Sequence, residues 1–156
     1  MNYGAVMHAP FGALGVLDDG EALCRIDFLP AGEAPQAAAT ALCGEAVRQL
    51  QAYLDDPGFC FSLPLRPVGS AFQLRVWDEL CRIPCGERLS YGELAARVGS
   101  VARAVGGACG RNPLPIVIPC HRVVAAHGMG GFNRAIDGTM LEIKHWLLNH
   151  ERAGLF

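Results

Sequence analysis

Residues 116–123 read Ile-Val-Ile-Pro-Cys-His-Arg-Val, so an apolar run stops at a proline and is followed directly by a thiol and an imidazole. The run is short, β-branched and bounded by Pro115 and Pro119, which predicts a buried strand or extended segment. A cysteine at the end of such a segment is expected at the floor of a site with little water. Because only the thiolate is a strong nucleophile, the neighbouring His121 indicates that Cys120 is a reactive cysteine and not one more buried thiol.

The composition predicts a globular protein. The chain has 156 residues, 51% of them hydrophobic, which suffices for one ordinary domain or two small ones. No apolar stretch reaches the ~18 residues of a membrane span, and the N-terminus lacks the basic-then-apolar pattern of a signal peptide. We therefore expect a cytoplasmic protein with no membrane partner. Seven irregularly spaced cysteines indicate reduced thiols and not a disulfide framework.

Charge is distributed unevenly along the chain. Residues 1–70 contain three arginines against eight acidic residues, whereas residues 71–156 contain ten basic residues against seven acidic ones. No acidic residue lies between Leu94 and Ile136, a stretch that contains five arginines. They are Arg97, Arg103, Arg111, Arg122 and Arg134. This pattern suits a surface that faces phosphates, and net charge alone does not separate it from a solvated face balanced by acids elsewhere.

Proline and glycine divide the chain into two parts. Five of them crowd into residues 57–69, which predicts an N-terminal α/β domain over 1–68 and a C-terminal domain over 69–156. Residues 2–30 alternate short apolar runs with turns, as antiparallel strands do. Residues 34–54 are alanine-rich with apolar residues at helical spacing. The expected fold class is α+β, with strands and a helix in the first domain and mostly helices in the second.

Helix start signals follow in the C-terminal part. Three pairs fit the capping box, in which the first-turn side chains satisfy free amides reciprocally. The pairs are Ser70 with Gln73, Ser90 with Glu93, and Thr139 with Glu142. They predict helices over 71–81, 91–98 and 140–149, and Ser100 would cap a further helix over 101–109. Two helices joined at Gly99 and Ser100 predict a helix-turn-helix whose second helix carries Arg103.

Several blocks of sequence are similar to one known family. They are Ala-Arg-Ala-Val-Gly-Gly-Ala at 102–108, Asn112-Pro113, the run 115–123, Ser90-Tyr91-Gly92 and Trp146-Leu147-Leu148. Together they resemble the O6-alkylguanine-DNA alkyltransferases (methylated-DNA–protein-cysteine methyltransferases), over nearly all of residues 70–156 and more loosely before them. The resemblance implies DNA repair by direct damage reversal. Such a protein binds double-stranded DNA, flips O6-alkylguanine out of the stack and transfers the alkyl group irreversibly to its own cysteine. It implies no cofactor, and we expect a monomer, with cooperative binding along DNA left open.

The resemblance also implies roles for the residues of the reaction. Cys120 matches the alkyl acceptor, and His121 matches the general base that takes its proton through a water. Glu151 matches the glutamate that orients this histidine. Asn112 matches the asparagine that ties two overlapping turns beside the acceptor.

A second group of residues is expected to contact DNA and the damaged base. Tyr91 matches the tyrosine that contacts the flipped base, and Arg103 matches the arginine that takes the vacated place in the stack. The carbonyls of Cys120 and Val123 would accept from the exocyclic amine of guanine, which favours guanine over adenine. The resemblance also implies that Pro115, Phe132 and Asn133 contact the DNA or the damaged base.

Three features differ between this chain and members of the family. The chain between Gly99 and Arg103 is two residues shorter than the commonest pattern, and the segment 128–138 is a few residues longer. Phe132 and Asn133 stand where the family usually has Tyr-Ser. Some relatives hold zinc in the N-terminal domain, but His8 and Cys24 lack CxxC or HxxxH partners, so we expect no metal.

Three alternatives remain open from the residues. A non-catalytic lesion-binding module would lack the acceptor cysteine, which this chain has. A cysteine hydrolase generally brings its histidine from elsewhere in the sequence, and it would leave the arginine-rich stretch unexplained. A plain helix-turn-helix DNA binder would tolerate the loss of Cys120.

Overall fold

A computed structural model describes residues 2–126 and 138–153. The chain forms two units that divide between Val68 and Gly69. Phe132 and Asn133, expected to contact the substrate, lie outside the described residues. Within the described residues, no helix is both long and apolar enough to cross a lipid bilayer.

The first unit is built on an antiparallel sheet of three strands in chain order. They are β1 (Ala5–Ala9), β2 (Gly12–Asp18) and β3 (Leu23–Leu29). Helix α1 (Ala41–Asp55) packs on this sheet, and its Leu50 and Tyr53 are buried, as are Leu14 and Ile26 of the strands. The strands expected over residues 2–30 are confirmed.

Helix α1 begins later than the alanine-rich pattern predicts. The predicted start was residue 34, but the side chain of Thr40 caps the helix by accepting from the Cys43 amide at 3.0 Å. Before it, Gln36 exchanges two backbone hydrogen bonds with Val6 of β1, at 3.0 and 3.1 Å. Because these amides are already bonded to the sheet edge, the helix starts only where a threonine satisfies its first turn.

The second unit contains four helices among the described residues. They are α2 (Ala71–Leu80), α3 (Tyr91–Val98), α4 (Ala102–Gly110) and α5 (Gly138–Ala153). Two short parallel strands, β4 (Leu89–Ser90) and β5 (Val123–Val124), pair with each other. With the sheet of the first unit, this arrangement confirms the expected α+β class.

Two of the predicted helix caps are confirmed and two are wrong. Ser70 and Ser90 each form the complete capping box. Thr139 does not cap, since α5 already begins at Gly138. Ser100 does not cap α4 either, because the N-cap residue of α4 is Val101, while the Ser100 amide still belongs to the end of α3 and donates to Ala95 at 2.9 Å.

Helices α3 and α4 form the predicted helix-turn-helix and pack against α2. The indole of Trp77 in α2 donates to the carbonyl of Ala108 in α4 at 2.8 Å, and Val105 is fully buried on the same helix. Arg103 lies in the first turn of α4 and is exposed. The core therefore fixes the inner face of α4 and leaves Arg103 at the surface.

Candidate active site

The segment before Cys120 is buried as predicted, but it is a series of tight turns and not the predicted strand or extended segment. The amide of Ile118 donates to the carbonyl of Leu114 at 2.8 Å, and Ile116 has a left-handed backbone with φ +75°. The side chain of Asn112 donates to the carbonyl of Ile118 at 2.8 Å and accepts from the amide of Leu114 at 3.0 Å. An asparagine can do both because its amide is a donor and an acceptor. The prediction failed because a buried asparagine and three prolines outweigh the strand preference of Ile-Val-Ile.

These turns deliver Cys120 into a short 3₁₀ turn, Cys120–Arg122. The amide of Cys120 donates back to the carbonyl of Ile118 at 2.8 Å, and only 4% of the residue is exposed. Burial raises the pKa of the Cys120 thiol to about 11, against the opposing effects of a hydrogen bond with Asn112 and the positive charge of Lys144. At neutral pH the resting group is therefore a thiol, and its reaction needs a base.

His121 and Glu151 form a buried hydrogen-bonded pair. Nε2 of the imidazole lies 2.7 Å from Oε2 of the carboxylate. Burial lowers the pKa of His121, although Glu151 opposes this. Burial alone would raise the pKa of Glu151, but hydrogen bonds from His121 and Arg122 outweigh it and hold that pKa below its usual range. The pair is thus a neutral imidazole beside an ionised carboxylate.

This protonation state defines the two nitrogens of His121. A carboxylate only accepts hydrogen bonds, so the proton of the neutral ring is on Nε2. Nδ1 is then an unprotonated acceptor. It is buried and has no hydrogen-bond partner among the described residues. A general base needs such a nitrogen on the side of the group that it deprotonates.

Lys144 is a residue of the site that the sequence analysis did not single out. It has no exposed surface, and its ammonium donates to the carbonyl of Val123 at 2.8 Å. The ammonium also lies 5.8 Å from the ring centroid of Tyr91. Burial lowers its pKa to about 8, while the two thiols of Cys120 and Cys109 act in the opposite direction. A lysine beside Ile143 on the inward face of α5 was the available signal, because buried lysines are rare without a specific partner.

Arg122 is also placed differently from the prediction. The charge pattern predicts that Arg122 is one of five arginines suited to a phosphate-facing surface. In the structure its guanidinium turns inward and makes a bidentate ion pair with Glu151, with both N–O distances at 2.9 Å. Arg122 and Glu151 are 29 positions apart, so no local sequence pattern predicts this ion pair.

Among the residues expected to contact the base, Tyr91 is partly buried, whereas Val123 and Pro115 are buried. Tyr91 is the first residue of α3 and is partly buried, and burial raises its pKa to about 12 with smaller effects of Cys109 and Cys120. The carbonyl of Val123 already accepts from Lys144, and that of Cys120 accepts from the amide of Val123. Each carbonyl retains a second lone pair for a ligand. Pro115 is buried within the turns.

Direct hydrogen bonds thus join His121 to Glu151 in one group, and Cys120 to Asn112 and Val123 in another. Arg103 lies on the exposed side of α4. Within residues 2–126 and 138–153, no group of three or more His, Cys, Asp or Glu side chains is placed to hold a metal ion.

Comparison with known proteins gives consistent matches to the whole chain. Residues 2–67 match a family model described as the ribonuclease-like domain of 6-O-methylguanine DNA methyltransferase, and residues 71–153 match the model of its DNA binding domain. The constitutive methylated-DNA–protein-cysteine methyltransferase of Bacillus subtilis is 39% identical, over 97% of this chain and 96% of its own length. The methylated-DNA–protein-cysteine methyltransferase of Mycobacterium leprae is 41% identical, over 91% and 92%.

Solved structures are also similar to this chain over most of its length. The O6-methylguanine methyltransferase of Mycobacterium tuberculosis has a TM-score of 0.77 at 34% identity, covering 95% of this chain and 91% of that one. The structure described as Mycobacterium tuberculosis OGT in complex with DNA has a TM-score of 0.77 at 35% identity, covering 96% and 92%.

Proposed function

This chain belongs to the 6-O-methylguanine DNA methyltransferase family, and we propose that Cys120 is the residue to which it transfers the alkyl group. The enzyme repairs DNA by direct damage reversal, as a methylated-DNA–protein-cysteine methyltransferase. One observation carries the choice of Cys120 among seven cysteines. In the chain, Cys120 is followed directly by His121, a buried imidazole whose Nε2 is bonded to Glu151. The Nδ1 atom of His121 accepts no hydrogen bond from the described residues.

The first step is loss of the thiol proton from Cys120. We propose that Nδ1 of His121 accepts it through one water that bridges the two side chains, which gives the buried Nδ1 a hydrogen-bond partner. Glu151 then stabilises the imidazolium across the 2.7 Å contact with Nε2. The ammonium of Lys144 favours the thiolate by its charge, since it opposes the effect of burial on the pKa of Cys120.

The second step is alkyl transfer. The sulfur of Cys120 attacks the alkyl carbon, so an S–C bond forms as the bond from that carbon to O6 breaks. The electron pair of the broken bond goes to guanine, which takes up a proton and is left repaired in the DNA. Because the thioether has no route back to a thiol in this scheme, each protein molecule reacts once. The reaction needs no cofactor.

The base reaches the thiol only after leaving the duplex. Flipping costs a few kcal/mol and is cheapest for a poorly paired base, which favours O6-alkylguanine over normal guanine. We propose that Tyr91 contacts the flipped base, while the carbonyls of Cys120 and Val123 accept from its exocyclic amine. Arg103, exposed on the helix-turn-helix, would fill the gap in the stack.

All the proposed reacting groups come from a single chain, so a monomer suffices for the reaction. No disulfide bond joins the cysteines among the described residues. A reducing compartment such as the cytoplasm suits a reaction that consumes a thiol.

The assignment of Cys120 can be tested by locating the methyl group. The protein is incubated with an excess of a short duplex containing O6-methylguanine, and its peptides are mapped by mass spectrometry. We expect one methyl per protein molecule, on the peptide with Cys120. Methyl on Cys109, the other buried thiol near Tyr91, would contradict the assignment. Turnover beyond one equivalent would contradict the single-use mechanism.

Arg103→Ala should slow repair of duplex DNA and leave reaction with a free base nearly unchanged. Stacking of a base on an aromatic side chain is worth about 1–3 kcal/mol, and a similar value for the planar guanidinium corresponds to a loss on the order of 10- to 100-fold in duplex repair. Free O6-benzylguanine needs no flipping and serves as the comparison substrate. Arg111→Ala, which removes another exposed arginine at the far end of α4, is the matched control. Equal losses on both substrates would refute the stacking role.

A further inference from the structure

We propose that Arg122 is a positioning residue for alkyl transfer, which acts through Glu151 on His121. The inference rests on the proposed function, because it concerns the same reaction. Its basis is a bidentate contact: Nε of Arg122 donates to Oε1 of Glu151 and Nη2 donates to Oε2, both at 2.9 Å. The side chains are 13% and 2% exposed. Such a paired contact fixes the plane of the carboxylate as well as its charge.

A third contact anchors the guanidinium itself. Its Nη1 donates to the backbone carbonyl of Ile83, in the segment that follows α2. Arg122 therefore connects three parts of the second unit, namely the 3₁₀ turn that carries the acceptor thiol, helix α5 and the segment that follows α2. All three nitrogens of the guanidinium are hydrogen-bonded, so Arg122 holds Glu151 in a single orientation for its hydrogen bond with His121.

Arg122 and His121 bind the same oxygen of Glu151, and this shared contact connects Arg122 to the catalytic histidine. Oε2 of Glu151 accepts from Nη2 of Arg122 and also from Nε2 of His121. Because Arg122 keeps this carboxylate ionised, the proton of the imidazole stays on Nε2 and Nδ1 stays available to the thiol. A histidine held in the wrong tautomer loses most of its activity as a base, as is known for the serine protease triad.

Arg122 also affects the charge of His121 directly. Burial lowers the pKa of the imidazole most, Glu151 opposes it, and the positive charges of Arg122 and Lys144 lower that pKa further. Removing the guanidinium should therefore let His121 become protonated at higher pH. An imidazolium cannot accept the thiol proton, so the acid side of the pH–rate profile would move upward. A residue that only stabilised the fold would not produce this shift.

The experiment uses Arg122→Met and Arg122→Lys in the full-length protein. The single-turnover rate of methyl transfer from O6-methylguanine in a duplex is measured from mildly acidic to mildly basic pH. We expect losses of about 100-fold for Met and about tenfold for Lys, on the scale known for groups that orient the histidine ligands of metal sites. The acid limb should move to higher pH in R122M. Arg82→Met is the matched control, because Arg82 makes ion pairs with Asp78 and Glu79 on the surface and should keep the wild-type profile.

A double-mutant cycle tests the route through Glu151. If Arg122 acts through this carboxylate, adding R122M to Glu151→Gln should reduce the rate little further, whereas full additivity would overturn the inference. Wild-type rates and pH profiles in R122M and R122K would also overturn it. If R122M does not fold, R122K and the nitrogen-15 chemical shifts of His121 decide, since the wild-type ring should carry its proton on Nε2 and R122K should lose part of that preference. Failure of wild-type protein to methylate Cys120 would instead refute the proposed function.

Discussion

Serine in place of Cys120 should leave a protein that binds methylated DNA and accepts no methyl group. The two side chains have the same shape, so the buried turn that holds residue 120 keeps its packing. A serine hydroxyl, however, is much harder to ionise than a thiol, and its oxygen is a weaker nucleophile toward an alkyl carbon. Labelled methyl from O6-methylguanine DNA should be absent from the protein, while DNA binding measured by fluorescence anisotropy stays at the wild-type level.

Cysteine 109 provides the matched control for this experiment. It is the other buried thiol of the second unit, with 6% of its surface exposed, and burial raises its pKa, while no histidine follows it in the chain. Cys109→Ser should therefore accept one methyl per molecule, as the wild type does. A methyl group found on the Cys120→Ser protein would mean that another nucleophile serves as acceptor, and the assignment of the site would be wrong.

Glu151→Gln should reduce both the rate of alkyl transfer and the stability of the fold. Glutamine has the same size, but it cannot accept from His121 Nε2 and also from both nitrogens of Arg122. The histidine loses the partner that fixes its tautomer, and by analogy with the serine protease triad the rate should fall by up to about 10⁴-fold. Arg122 is left as a buried cation without its anion, which typically costs about 3–5 kcal/mol. Methyl-transfer rates and urea unfolding measure the two effects.

The stability effect of Glu151 has a defined pH dependence. Its pKa in the folded protein lies below the ordinary value of 4.5, so its contribution is complete above that value and is lost as the pH falls toward the folded pKa. The stability difference between the wild type and E151Q should therefore shrink below about pH 4.5. Glu79→Gln, which removes a surface ion pair of Arg82, should change stability by about 1 kcal/mol or less. A difference for E151Q that stays constant on acidification would contradict the ionised state of Glu151.

Local signals in the sequence predicted the helices of the second unit well. The capping boxes at Ser70 and Ser90 are present as expected, because such a box is formed by residues three positions apart and needs no distant partner. The exceptions have distant or competing causes. In the first unit, residues 34–40 do not join α1, since Gln36 is bonded to β1. In the second unit, Ser100 does not cap α4, since Val101 is its N-cap residue.

The same distinction applies to the site. The sequence alone showed that Cys120 and His121 are adjacent, and its resemblance to a family implied roles for Asn112 and Glu151. It did not predict that Lys144 belongs to the site or that Arg122 points inward. A charge count over residues 94–136 cannot distinguish an arginine on the surface from one that pairs with a carboxylate on a later helix.

The sequence by itself determined which chemistry is present: a thiol, an imidazole beside it, and a family of proteins that uses such a pair. Those are properties of neighbouring residues, and neighbours stay together in any fold. Only the tertiary structure decided how the thiol is controlled. Glu151 lies 30 positions from His121, and folding brings the two within 2.7 Å while excluding the water that would weaken their interaction. Burial then shifts the pKa of Cys120, His121 and Lys144, because the cost of a charge depends on everything packed around it.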